Sequence, residues 1–411
     1  MADRQAAGGN VFAGRVRWEP VRSLWWTGTT GVAIVGGALT FSWTALAVFL
    51  ATTATVLLFG HSLGSHRKLI HDSFACPRWL EYLLVYLGVQ VGLSGPLGLV
   101  RQHDLRDHAQ RQPDCHPFLR HGASFWQDAW WQLHCRLELD DPPQLEPAPG
   151  IAADRFYRFL ERSWMLQQVP PALLLYLAGG WAFVIWGGCA RIAAGVTGHW
   201  LIGHFAHNHG AMHHSVDGAA VQGRNVRLAS LLTMGESWHN NHHAFPGSAR
   251  LGLYPGEWDP GWWVLVLLRR LGLVWRIRLP HGCPDRPELR RLDDVPCVAA
   301  PVPQSLADMV RNSVAVAAAL FTQAAPASLD GPCATMSVSC MRRLAGPRAV
   351  VTRNPAQPRL RLRLGFASVV GLPAFLLAIG SRNACSAVVA VLLLPAAVLA
   401  ESLRGQLAWS E

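Results

Sequence analysis

The chain has 411 residues, of which 51% are hydrophobic and only 15% charged, with 18 Trp and a formal net charge of +10. Soluble domains carry about a quarter charged residues, so this shortfall argues against a soluble globular protein and points to a membrane. The excess charge is almost all arginine, Lys68 being the single lysine. With heavy use of Ala, Gly and Pro it reads as the product of a GC-rich genome and requires no nucleic-acid partner.

Met1 to Arg22 is polar and basic, unlike a cleavable leader, and is expected to be a cytoplasmic N-terminus. From Ser23 to His66 there is no Asp, Glu, Lys or Arg. Crossing a roughly 30 Å hydrocarbon core takes about 20 helical residues, so this stretch predicts two tight spans turning near Thr40 to Thr44. Arg15, Arg17 and Arg22 before it, and Arg67 and Lys68 after it, hold both ends in the cytoplasm.

Tyr82 to Val100 is also uncharged, but Gly92-Leu-Ser-Gly-Pro96 interrupts it; it fits either a short span or an in-plane segment. Ser163 to Ala190 reads as a span, Arg191 as an outer turn, and Ile192 to Ala206 as the return. Asp259 to Val274 mixes Trp, Leu and Arg like a helix lying on the interface. The expected fold is an all-α membrane protein with two transmembrane hairpins, about four spans, and a cytoplasmic helical layer.

Three regions follow: a basic N-terminus over 1–22, a membrane domain over 23–285, and a Pro/Arg/Ala-rich tail over 286–411. Within the tail, Phe366 to Gly380 and Ala384 to Ala400 are apolar and short, enough for one weak hairpin. The nine cysteines form no CxxC pair, which argues against a thiolate zinc site and a disulfide scaffold.

The histidines carry the chemistry. All 18 lie between His61 and His281, and 17 of them end by His243. In Gly235-Glu-Ser-Trp-His239-Asn-Asn-His242-His243, the histidines stand at i, i+3 and i+4, so a helix presents them on one face. Three neutral imidazoles so placed suit a borderline transition metal.

His61 and His66 are five apart, about 140° around a helix of 3.6 residues per turn. Either the helix loosens there or the two face different metals; His71 repeats the interval. His103 and Asp107, at i and i+4, can clamp one ion, or they belong to a solvated helix face. His207, at the end of a span with His204 and His209 beside it, is a functional candidate. All these sit at the cytoplasmic ends of the two hairpins, where the topology gathers them into one layer.

Read together, these residues resemble the membrane fatty acyl desaturase family, which includes the stearoyl-CoA desaturases, over roughly residues 20–285. Gly60-His61-Ser-Leu-Gly-Ser-His66-Arg67 is similar to the family's first histidine box. Gly235 to Pro246 is similar to the third, and Trp200 to His207 resembles the span that supplies an extra histidine. The second box departs: the family's H-R-x-H-H is here His103-Asp-Leu-Arg106-Asp107, resembling an acidic bacterial version. Gly203 stands where animal enzymes carry Asn.

The resemblance implies two irons held by His61, His66, His103, Asp107, His207, His239, His242 and His243, with His108 and His71 as the alternatives to Asp107. It implies an O2-dependent enzyme of the bacterial inner membrane, its active site facing the cytoplasm, placing a cis double bond in a saturated acyl chain. Removing hydrogen from unactivated CH2 groups requires a redox metal. The implied partners are an acyl-CoA or lipid-linked acyl chain, O2, the bilayer and a ferredoxin- or cytochrome-type electron donor, since no His-Pro-Gly-Gly haem stretch is present. A fatty acyl hydroxylase would use the same ligands, and a metal-free inactive relative would share the sequence. A His-rich metal transporter would want its ligands at mid-span.

Overall fold

A computed structural model describes residues 9–292; the apolar stretches expected in the tail lie outside the described residues. Pro20 opens helix α1 (Pro20–Leu39), where its missing N–H costs nothing. At Thr40 the backbone N–H closes onto the Gly36 and Gly37 carbonyls. Ser42 then caps the next helix, its Oγ accepting from the Ala45 N–H at 3.1 Å. That helix, α2, runs from Trp43 to Ile70 and is one of two among the described residues long and apolar enough to cross a membrane.

Tyr82 to Val100 resolves into two helices, α3 (Arg78–Val89) and α4 (Pro96–Arg111), separated by a turn at Gly92, where φ is +87°. The polar layer adds α5 (Phe125–His134) and α6 (Arg155–Ser163).

The other long apolar helix, α7, spans Leu166 to Asn208. Its backbone leaves helical geometry at Gly179 and Gly180, the latter at φ +65°, a conformation that favours glycine. Leu175 before the break lies against Gly187 after it, so the chain doubles back there. The turn expected at Arg191 is therefore displaced to the glycine pair. Arg191 is instead buried, its guanidinium donating to the Gly187 carbonyl at 2.8 Å and to Gln168 Oε1 at 2.9 Å.

Two short antiparallel ribbons amend the all-α expectation and leave a mostly helical fold. Strand β1 (Gly14–Trp18) pairs with β2 (Cys135–Leu139), and β3 (His214–Val216) with β4 (Leu289–Arg291). The chain also forms α8 (His239–Ala244) and α9 (Pro260–Arg270); α9 overlaps the stretch read as an interfacial helix.

Close backbone contact fixes α2 against α3. A Cβ at Gly60 would lie 2.3 Å from the Leu87 carbonyl oxygen, and one at Gly64 would lie 2.2 Å from that of Leu84. Small residues four apart permit this approach. One core beneath the site packs Leu63 of α2 with Phe74, Leu84, Trp262 and Leu265. Beside it Arg67, 1% exposed, donates to Asp259 Oδ1 at 2.7 Å and to the Ala249 carbonyl at 2.9 Å. Asp259 also accepts from the backbone N–H groups of Trp262, Leu251 and Gly252. The pair ties the end of α2 to the start of α9.

Candidate metal centre

The five-residue spacing of the first motif is explained by the winding of α2. From Val56 to Ile70 the helix is π-wound, its backbone bonds reaching five residues back instead of four; the His71 N–H, for example, donates to the His66 carbonyl at 3.1 Å. The wider turn brings residues five apart toward one line. The rings of His61 and His66 are accordingly near parallel, 8° apart with centroids separated by 6.5 Å, and His71 follows with its Nε2 3.2 Å from His66 Nε2.

Two groups of imidazole nitrogens result. His66, His71, His103 and His242 form one, and His207, His239 and His243 the other; within each, the ligand atoms lie within 4.8 Å of one another. In the second group, His239 Nε2 is 3.1 Å from the Nε2 atoms of both His207 and His243. The short helix α8 feeds both groups, His242 turning to the first and His239 and His243 to the second, with 5.6 Å between the His239 and His242 ring centroids.

The donor set fits transition-metal cations. His207 Nδ1 donates to the Gly203 carbonyl at 2.7 Å, which leaves its Nε2 a lone pair facing His239. Glu236 Oε2 stands 2.5 Å from His66 Nδ1, a buried ion-pair contact. Such outer partners orient metal-binding imidazoles. The Nδ1 atoms of His103 and His242 are buried without a hydrogen-bond partner, so the protein alone leaves both rings incompletely satisfied.

Burial also keeps the rings neutral. It lowers His239 to about 3, and His103, His242 and His243 well below the usual histidine range. Neutral imidazole is the form a metal binds. Burial raises Glu236, but the neighbouring His66 and Arg67 outweigh it and hold the carboxyl well below its ordinary range.

A third cluster is a hydrogen-bond hub. Asp128 Oδ2, fully buried, accepts from His121 Nδ1, His204 Nδ1 and Trp200 Nε1, each at 2.9 Å. Both rings spend their Nδ1 hydrogens on one carboxylate oxygen, and His121 Nε2 accepts from Arg106 at 3.1 Å, so the cluster is satisfied without a cation. His121 also stacks on His207, 10° apart with centroids at 5.4 Å, and so braces the second group.

Both groups border a cavity of about 330 Å³. Trp25, Trp26, Leu93, Leu99, Trp164 and Val196 supply apolar wall, and Glu19, Arg22 and Gln132 supply polar lining.

The family model for fatty acid desaturases matches residues 41–253. The chain is 35% identical over 238 residues to an sn-2 palmitoyl-lipid 9-desaturase of Nostoc sp., covering 58% of this chain and 82% of that one. It is 33% identical over 249 residues to an acyl-CoA 5-desaturase of Anemone leveillei, covering 61% and 76%. An sn-1 stearoyl-lipid 9-desaturase of Anabaena variabilis is 35% identical over 240 residues, covering 58% and 86%.

The chain belongs to the fatty acid desaturase family. It is thus an oxidoreductase of a membrane-associated family. Of the eight positions expected to bind metal in this desaturase, the two groups contain His66, His103, His207, His239, His242 and His243.

His61 and Asp107 stand outside both groups. His61 borders the cavity against His199, ring centroids 5.3 Å apart. Asp107 is claimed by Arg111, one turn along α4, at 2.8 Å. His71 takes a place in the first group; its repeat of the five-residue interval was the sequence signal for it. Glu236 was visible inside the third motif without a role. His199 and Asp128 carried no local signal, because only the fold brings their neighbours to them.

Proposed function

We propose that this desaturase is a di-iron, O2-dependent enzyme that introduces a cis double bond into a saturated acyl chain, delivered as acyl-CoA. The observation that carries the reading is the pair of histidine groups set side by side on the wall of an apolar-lined cavity. His66, His103 and His242 would hold one iron, and His207, His239 and His243 the other. When bound, the irons supply the O2-dependent oxidation that removes hydrogen from adjacent methylene groups.

The protein's own contribution is to bind, orient and keep dry. Each methylene buried between Trp25, Trp26, Trp164 and Val196 is worth about 0.8 kcal/mol, which holds the chain and excludes water. The Gly203 carbonyl holds the Nδ1 proton of His207, directing its Nε2 lone pair inward, and Glu236 stands against His66 Nδ1. Arg22, on the polar lining of the cavity, supports an anionic headgroup at that end. Electrons would come from a separate ferredoxin- or cytochrome-type donor. Both relatives' names bear on the substrate: the Nostoc enzyme is a lipid desaturase and the Anemone enzyme acts on acyl-CoA.

In the bilayer, α1, α2 and the two arms of α7 would form four spans in a bacterial inner membrane, with the histidine layer on the cytoplasmic side. The uncharged run of α1 and α2 between basic flanks supports this, as does the reversal at Gly179 and Gly180.

The test is the fatty-acid profile of cells expressing the protein against cells expressing His242→Ala. A new unsaturated chain that disappears in the variant supports the proposal. A hydroxylated product would make the enzyme a hydroxylase, and identical profiles from wild type and empty-vector cells would overturn it.

A further inference from the structure

We infer that the loop between α3 and α4 is the floor of the cavity, that Arg191 holds it at its height, and that it limits the acyl-chain length the enzyme accepts. The inference rests on the acyl-chain reading above and concerns where the methyl end of that chain stops.

The lining residues give the cavity a direction. On α7 they run from His207, in the second histidine group, back to Val196, about 16 Å of helix rise. On α1 the deepest of them are Trp25 and Trp26, and Gly92, Leu93 and Trp164 close the same end. That end is almost wholly apolar. A chain lying past the histidine groups therefore presents its methyl group there, not its headgroup.

Under that end the packing is close. Gly92 sits at φ +87°, and a Cβ on it would lie 2.9 Å from Ile192 Cγ2. A Cβ on Gly195 would lie 3.0 Å from Val91 Cγ1. Trp25 Nε1 donates to the Gly92 carbonyl at 2.9 Å, and the Trp25 ring stands edge-on to Trp164 with centroids at 5.4 Å. The loop thus rests on α7. Ile192, 4% exposed, lies beneath Gly92 and outside the cavity lining.

Arg191 supplies the hold. It is 3% exposed, and its bonds go to the Gly187 carbonyl and to Gln168 Oε1, not to a carboxylate. Gln168 Nε2 in turn donates to the Val89 carbonyl at 3.0 Å, and Gln90 Nε2 donates to the Gln167 carbonyl at 2.9 Å. Arg191 Nη1 and Gln90 Oε1 are buried without a hydrogen-bond partner. In the four-span reading this guanidinium lies inside the second arm of α7, where a charge is costly and marks a functional position. Its bonds tie both arms of α7 to the residues that lead into the floor.

A purely structural brace between the arms of α7 would affect stability and leave chain selection alone. The experiment separates the two roles. Cells expressing the full-length protein are fed hexadecanoic, octadecanoic and eicosanoic acids. Each unsaturated product is measured against the saturated acid of its own length. Wild type is compared with Arg191→Met, Arg191→Lys, Gln168→Met and Ile192→Ala, and iron content and thermal unfolding are measured on the purified proteins.

The expected result is a length limit in wild type. Ile192→Ala and Arg191→Met should raise the ratio of longer to shorter products by about tenfold, the discrimination a pocket exerts over an added methylene group. Arg191→Lys, which keeps a cation able to donate to Gln168, should stay near wild type, and iron content should not change. Gln168→Met breaks the same link from its other side and carries the test if Arg191→Met does not fold. An unchanged ratio in folded Ile192→Ala would overturn the floor. A lowered Tm with an unchanged ratio in Arg191→Met or Gln168→Met would reduce Arg191 to a brace and overturn its part. Hydroxylated products with the same length limit would sink the double-bond reading and leave the floor standing. Wild type that modifies no chain of any length would overturn the acyl-chain reading, and this inference with it.

Discussion

Replacing Arg67 by Met should be among the most damaging single changes in the fold, and the reason can be followed bond by bond. The guanidinium is 1% exposed and makes a 2.7 Å ion pair with Asp259, a 2.9 Å bond to the Ala249 carbonyl, and a 3.5 Å approach to Glu236. Met fills much of the volume but leaves two buried carboxylates facing no cation. Breaking one side of a buried pair costs about 3–5 kcal/mol. Asp259 retains three backbone N–H donors, which places the expected loss near the lower figure, about 3 kcal/mol.

At about 2–4 °C per kcal/mol, Tm in detergent should fall by roughly 6–12 °C. The double variant Arg67→Met/Asp259→Asn removes the stranded charge and should recover part of that loss, a non-additivity read directly from the double-mutant cycle. The reasoning is refuted if Arg67→Met shifts Tm by less than about 2 °C, or if the two substitutions simply add.

Three further outcomes are expected. Burial holds His121 down to about 4 despite the help of Asp128, so the folded ring stays neutral where the unfolded chain takes up a proton. Stability should therefore fall as pH drops from about 6.5 toward about 4, by at most about 3 kcal/mol from this residue. His121→Gln should flatten that part of the pH–stability curve, and an unchanged slope would count against the assignment. Gly64→Ala puts a methyl onto the Leu84 carbonyl and should cost about 1–3 kcal/mol or more, measured by thermal unfolding and by reduced iron content; a neutral effect would mean that α2 and α3 separate easily. Val196→Trp narrows the cavity and should shift products toward shorter acyl chains at unchanged iron content, as measured by chain-length analysis of the products.

The third motif was the most legible part of the site, because i, i+3 and i+4 spacing is a local property and α8 needs only six residues to express it. The break between α1 and α2 near Thr40 to Thr44 was legible for a similar reason: an uncharged stretch about twice a bilayer long predicts an interruption there. Spacing alone left the first motif open between a loosened helix and two separate metals, and the π-winding of α2 is the loosened case.

One reading went astray where a strong local cue met a tertiary override. Arg191 looked like an outer turn because charge is rare in spans, yet Gln168 and a backbone carbonyl hold it inside the fold. The break fell at Gly179 and Gly180, the residues able to take those dihedrals. Asp128 could not be read at all, since its partners sit 7, 72 and 76 residues away.

The bond between Arg67 and Asp259 joins residues 192 positions apart, and that distance sets an order of events during synthesis. At about 5–20 residues per second, Arg67 leaves the ribosome roughly 10–40 s before its partner. Through that interval a guanidinium destined for complete burial has no carboxylate, and His66 beside it has neither His242 nor Glu236. The first hairpin must therefore wait with its charged end in water. The histidine layer closes only when the segment carrying Asp259 arrives, so assembly of this enzyme finishes beside its candidate metal centre.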